Sequence, residues 1–167
     1  SNQEEKMAAV SHGVVAAVTS GLQSTWTDHP YIARLAAQVL SSLATVLPGR
    51  TAIKEADSVV VLTGMLRHNE PEVREDAVKA MNSIATFRDG VKLIVYTPGT
   101  VKAIVNALYD DMCEDDSTHG NCAVVVAVAA LCNSLSKLIS GLEAGVENGM
   151  VSKLIAVLDP ASVGIKP

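Results

Sequence analysis

The sequence predicts an all-α chain, a right-handed α-solenoid made of copies of one three-helix unit, and two recurring phrases and the composition predict it. The first phrase is Ser42-Leu43-Ala44-Thr45 followed by Gly49, which returns as Ser83-Ile84-Ala85-Thr86 before Gly90 and, degenerately, as Ser134-Leu135-Ser136-Lys137 before Gly141. The second is Val59-x-x-Leu62-x-x-x-Leu66, repeated as Val101-x-x-Ile104-x-x-x-Leu108 and Val151-x-x-Leu154-x-x-x-Leu158, with an earlier copy at Val15-x-x-Val18-x-x-x-Leu22. Steps of three and four put each triplet on one helix face. The copies start 44, 42 and 50 residues apart, a period of about forty that suits solenoid units of two or three helices. The chain is 49% hydrophobic but 3% aromatic, so its core is drawn from Ala, Val, Leu, Ile and Met, which suit close helix packing better than a pleated sheet.

Each unit reads as a helix bearing the apolar triplet, a polar turn, a long helix bearing the Ser-Leu-Ala phrase, and a short third helix. Asp28 and Asn69 are the expected N-caps of the long helices, followed by Pro30 and Pro71 in the first turn. Over 30–46 the stripe Leu35, Ala36, Val39, Leu40 and Leu43 is the expected core face, and over 71–87 the equivalents are Val73, Ala77, Ala80, Met81 and Ile84. After each glycine a short helix is expected at about 50–56, 91–96 and 142–147, closed by turns such as Pro98-Gly99 and Asn148-Gly149. One domain over 1–167 results: a partial repeat at about 5–46, repeats at about 50–87 and 91–138, the latter with an acidic insertion at 110–121, and an incomplete terminal repeat at about 142–159.

Ala six positions before a small polar residue that is followed by Leu-Ala or Ile-Ala, with Gly ahead of a short helix, resembles the armadillo repeat. Ala36 to Ser42 and Ala77 to Ser83 carry that spacing, and the resemblance runs from about residue 5 to Pro160. The related HEAT repeat is the rival; the recurring Gly and the separate short helix favour armadillo. The resemblance implies a non-enzymatic scaffold for protein partners. In armadillo proteins such as the importin α family, an Asn on the third helix of each repeat bonds an extended peptide backbone, and a Trp one turn earlier makes slots for basic side chains. Here the Asn places hold Ser42, Ser83 and Ser134 and the Trp places hold Gln38, Lys79 and Ala130, so the amide ladder is missing. The concave face implied is small and mixed. Its candidate partner-binding residues are Arg34, Gln38, Glu75, Lys79, Asn82, Asn133 and Lys137, with Thr45, Thr86 and Ala130 beside them.

A net charge of -5, with 13 scattered Lys and Arg, argues against nucleic acid and favours a basic or neutral protein partner. The most apolar run, Cys122 to Cys132, is too short for a bilayer, and three cysteines in no finger spacing fit free thiols in a reducing, cytoplasmic setting. The acidic loop places Asp110, Asp111, Glu114, Asp115 and Asp116 near Cys113, His119 and Cys122, in neither a zinc nor a calcium spacing, and reads as a surface loop. No catalytic constellation, phosphate loop, metal site or cofactor site is expected. His68 is expected to be exposed in a turn, Cys132 to be a small core residue, and Trp26, Tyr96 and Tyr109 to cover the core. The alternative to a partner-reading scaffold is a structural subunit of a cytoskeletal or axonemal (ciliary) assembly. It would dock or self-associate through Val151, Leu154, Ile155 and Leu158, which open a repeat that is not completed.

Overall fold

The computed structural model describes residues 2–110 and 119–158. Eleven helices are described in these spans, with no strand between them: α1 (Asn2–Ser11), α2 (Val14–Thr25), α3 (Pro30–Leu43), α4 (Leu47–Glu55), α5 (Ser58–Met65), α6 (Pro71–Ala85), α7 (Arg88–Tyr96), α8 (Thr100–Asp110), α9 (His119–Ser136), α10 (Ile139–Glu147) and α11 (Met150–Leu158). They stack by rank. The long helices α3, α6 and α9 lie side by side, α2, α5, α8 and α11 form a second row, and α1 meets α4 as α7 meets α10. This is an all-α solenoid.

Local chemistry sets the boundaries. Pro30 and Pro71 open α3 and α6 as expected, because a fixed φ suits the first helical turn. Asp28 and Asn69, however, are not the caps. His29 and Glu70 occupy the cap positions and neither makes a side-chain cap bond. The turn before α6 is tied differently: Arg74, itself buried, donates from Nη1 to the carbonyls of His68 and Asn69 at 2.6 and 2.9 Å, and the Glu70 amide donates to His68 Nδ1 at 2.9 Å. His68 is therefore buried, against the expectation of exposure, with Trp26 tilted over it at 6.1 Å between ring centroids.

Every helix of the second row begins after a residue in the left-handed region: Gly13 at φ 75°, Asp57 at 52°, Gly99 at 78° and Gly149 at 78°. Three are glycine because a Cβ is disfavoured there, and Asp57 is the one side chain held in that conformation. Gly49, Gly90 and Gly141 serve another purpose. They lie in the first turn of α4, α7 and α10, so those helices start about three residues earlier than expected. An ideal Cβ on them would stand 1.9, 1.8 and 2.1 Å from the carbonyl oxygens of Leu43, Ile84 and Leu135, so only glycine lets the short helix lie against the end of the long one.

In α6 all five expected core residues are buried, Val73, Ala77, Ala80, Met81 and Ile84. In α3 the stripe is rotated. Ala33, Ala37, Leu40 and Leu43 are buried, Ala36 is half-buried, and Leu35 and Val39 stand 44% and 38% exposed. The side of α3 that meets α6 includes Arg34, Gln38 and Ser41, while Ile32, Leu35 and Val39 stay exposed. Cys132 is buried in α9 as expected, and burial pushes its thiol up to about 11. Tyr96 does not cover the core; it is 70% exposed.

Candidate partner-binding surfaces

The long helices present one face on which the expected binding residues gather, but much of their polar capacity is already spent between helices. Arg34 Nε donates to Asp76 Oδ2 at 3.0 Å and Gln38 Nε2 donates to the same oxygen at 3.1 Å, joining α3 to α6. The bond to Asp76 raises the Arg34 guanidinium above its ordinary pKa. The Oγ atoms of Ser41 and Ser83 share a bond of 2.7 Å, and Asn82 Nδ2 donates to the carbonyl of Ala127 on α9 at 3.0 Å. Lys79 pairs with Glu75 one turn before it. Lys79, Asn133 and Lys137 remain exposed, as does part of Gln38.

Two serines at the Asn places bond back to their own helix, Ser83 Oγ to the Lys79 carbonyl at 3.2 Å and Ser134 Oγ to the Ala130 carbonyl at 3.1 Å. Such bonds compete with outside partners. Asp76, the residue that gathers Arg34 and Gln38, was not among the expected site residues. In the repeat register its counterpart on α3 is Leu35, so nothing in the recurring phrases marks it. The second row has a link that repeats as well: Thr19 Oγ1 meets Ser58 Oγ at 2.7 Å, and Thr63 Oγ1 meets Thr100 Oγ1 at 2.9 Å.

The row of short helices differs. Between α4 and α7 lies an open groove of about 510 Å³, walled by Leu47, Leu93 and Tyr96 and edged by Arg50, Lys54 and Lys92. Arg50 lies with Cζ 3.5 Å above the Phe87 ring, a cation–π contact. The sequence carries a trace of this site: Arg50 and Lys54 stand four apart, hence on one face of α4. The space itself depends on how far α4 stands from α7.

At the other candidate surface, Val151 and Ile155 on α11 are 48% and 63% exposed, and Leu142 and Val146 on α10 are exposed too. The side chains of Leu154 and Leu158 lie outside the described residues. Of the acidic loop, Asp110 ends α8 in its backbone, and Asp111, Glu114, Asp115 and Asp116 lie outside the described residues. Among the described residues no His, Cys, Asp and Glu group is arranged to hold a metal ion, and no helix is long and apolar enough to cross a membrane.

No protein-family model matches the sequence, and no curated protein matches it. Solved structures do. An engineered protein from a structural genomics programme superposes with a TM-score of 0.79 at 18% identity, over 98% of this chain and 64% of its own. A designed armadillo repeat protein in complex with the peptide (KR)4 gives 0.77 at 18% identity, over 96% and 64%. A further engineered protein gives 0.76 at 26% identity, over 96% and 62%. The chain has an armadillo-like repeat fold, as its recurring phrases led us to expect, and spans a little under two thirds of the length of these neighbours.

Proposed function

We propose that the chain is a non-enzymatic scaffold of armadillo type that holds a segment of a protein partner along the exposed edge of α3, α6 and α9. The observation that carries the reading is the register of the three long helices: Gln38 and Lys79 stand at equivalent places of neighbouring helices, and Asn133 and Lys137 continue the exposed edge on α9. The Asp76 joint backs this edge with a rigid wall, which limits the entropy lost on binding. A neighbour of the same fold was solved with a basic peptide, and the net charge of -5 here favours a basic or neutral partner as a whole, whose segment at this edge offers acceptors to Lys79 and Lys137. With serines in place of the amide ladder, recognition runs through side chains and is selective for sequence more than for extended backbone.

The test is affinity capture from a native extract with the parent chain and with a Lys79→Glu, Lys137→Glu variant of unchanged helicity. Recovery of the captured partner should fall about tenfold or more in the variant, the scale of losing anchoring contacts at an interface. Equal recovery by both proteins would contradict the reading. A second reading, assembly through α10 and α11, draws on the exposed Leu142, Val146, Val151 and Ile155. It expects light scattering to show concentration-dependent association that a Val151→Glu, Ile155→Glu variant loses.

A further inference from the structure

We propose that the groove between α4 and α7 is a second docking site, on a different row of helices from the long-helix edge, and that its occupant is an acidic, aliphatic segment of a partner protein. The charge of the site runs against that of the chain. Arg50, Lys54 and Lys92 border it with Asp89 as the only acidic lining residue, in a protein whose net charge is -5. Among the described residues none of the three cations makes an ion pair. Some cations elsewhere are engaged, Arg34 by Asp76, Lys79 by Glu75 and Lys153 by Asn106 at 2.7 Å.

Arg50 is the most telling of the three. Its guanidinium Cζ stands 3.5 Å above the Phe87 ring, and its Nε is enclosed without a hydrogen-bond acceptor. The contact with the ring leaves its charge without an anionic partner, which a carboxylate of the occupant would supply. The apolar walls specify the rest. Leu47 and Tyr96 stand 68% and 70% exposed at the mouth, with Leu93 half-buried between, so aliphatic side chains of the occupant would cover surface now in water. A volume of about 510 Å³ is in the range of ligand clefts. Helices of nine residues offer a length of roughly 13 Å, enough for about four extended residues. Nucleic acid fits poorly, because three cations neutralise few phosphates.

The test uses a fluorescein-labelled peptide of alternating glutamate and leucine, (EL)4, titrated with the full chain and followed by anisotropy. Binding should be saturable and should weaken as salt rises from about 0.05 to about 0.3 M. A Lys54→Glu, Lys92→Glu variant should weaken it about tenfold or more, and Tyr96→Ala roughly three- to tenfold, as expected for rim charges and an aromatic anchor. The Lys79→Glu, Lys137→Glu variant should change it less than about twofold, because those residues belong to another surface. If charge reversal lowers helicity, Lys54→Gln with Lys92→Gln replaces it, with a loss of the same direction expected. No binding by the parent chain would overturn the proposal. So would binding that survives removal of both lysines or that the long-helix variant abolishes equally. Absence of peptide binding leaves partner capture by the long-helix edge standing, so the two readings fail separately.

Discussion

The long helices and the short helices α4 and α7 of the stack handle polar side chains in opposite ways. Along α3, α6 and α9 polar groups face one another across the joints: Arg34 and Gln38 converge on Asp76, Ser41 meets Ser83, and Asn82 reaches Ala127. Between α4 and α7 the helices stand apart, and Arg50, Lys54 and Lys92 border open space. The lesson is that in a solenoid cohesion and availability trade against each other. A side chain that closes a joint is lost to a partner, and a row with loose joints keeps its charges free.

The largest expected effect comes from breaking the contact that both rows share, the seat of a short helix on a long one. Gly90→Ala would place a Cβ 1.8 Å from the Ile84 carbonyl oxygen, and backbone, not a flexible side chain, must yield. A cost of about 3 kcal/mol or more is expected, lowering the melting temperature by roughly 6–12 °C; a calorimetric scan decides. A melting temperature within a degree of the parent would mean that the close approach is not there.

Next is the sealed side seen through Cys132 on α9. The folded thiol keeps its proton up to about 11, against an ordinary value of 9.0. Stability is intact below pH 9 and is lost as the pH rises through the window from 9 to 11, because the unfolded chain ionises first. The loss is on the order of 2–3 kcal/mol by the top of that window. Urea titrations of the parent and of Cys132→Ala at pH 8, 9.5 and 11 should show the pH dependence smaller in the variant by about that amount. Equal slopes would place the thiol in contact with water.

Removing the central acceptor is a smaller break. Asp76→Ala leaves Gln38 and the partly exposed Arg34 without their shared oxygen, at a cost of about 1–2 kcal/mol after solvent screening of the arginine. Lys54→Ala and Lys92→Ala, on the open side, should each stay within about 0.5 kcal/mol. The smallest effect has the opposite sign. Asp57→Gly removes a side chain from the left-handed region in which its three counterparts are glycine, and a gain of roughly 0.5–1 kcal/mol is expected in the same denaturation assay.

What could be read from the residues follows the range of the forces involved. Pro30 and Pro71 act within one turn, so the starts of the long helices were legible. The glycines recur because a local contact recurs, and they were visible as a pattern, although their place inside the short helices was not. The α3 stripe misled because apolar residues lie on two of its flanks, and periodicity alone does not say which flank neighbours cover; Ala33 and Ala37 are buried while Leu35 and Val39 stay exposed. Candidate site residues on the long helices were legible as polar positions, but their engagement by Asp76 and Ala127 depends on partners about forty residues away. The groove was illegible for a related reason: it is a distance between two helices, and Tyr96 alone looks like any residue near a turn.

Backbone amide exchange, followed by mass spectrometry with and without the (EL)4 peptide, tests most directly the division between a sealed row and an open one. In the free chain the amides of Ala77–Ile84 in α6 should exchange only through global opening, and those of α4 and α7 about a hundredfold or more faster through local opening. Added peptide should slow α4 and α7 and leave α6 unchanged. Protection of α4 and α7 equal to that of α6 in the free chain, or peptide-induced protection centred on α6, would contradict the division of labour between the two rows.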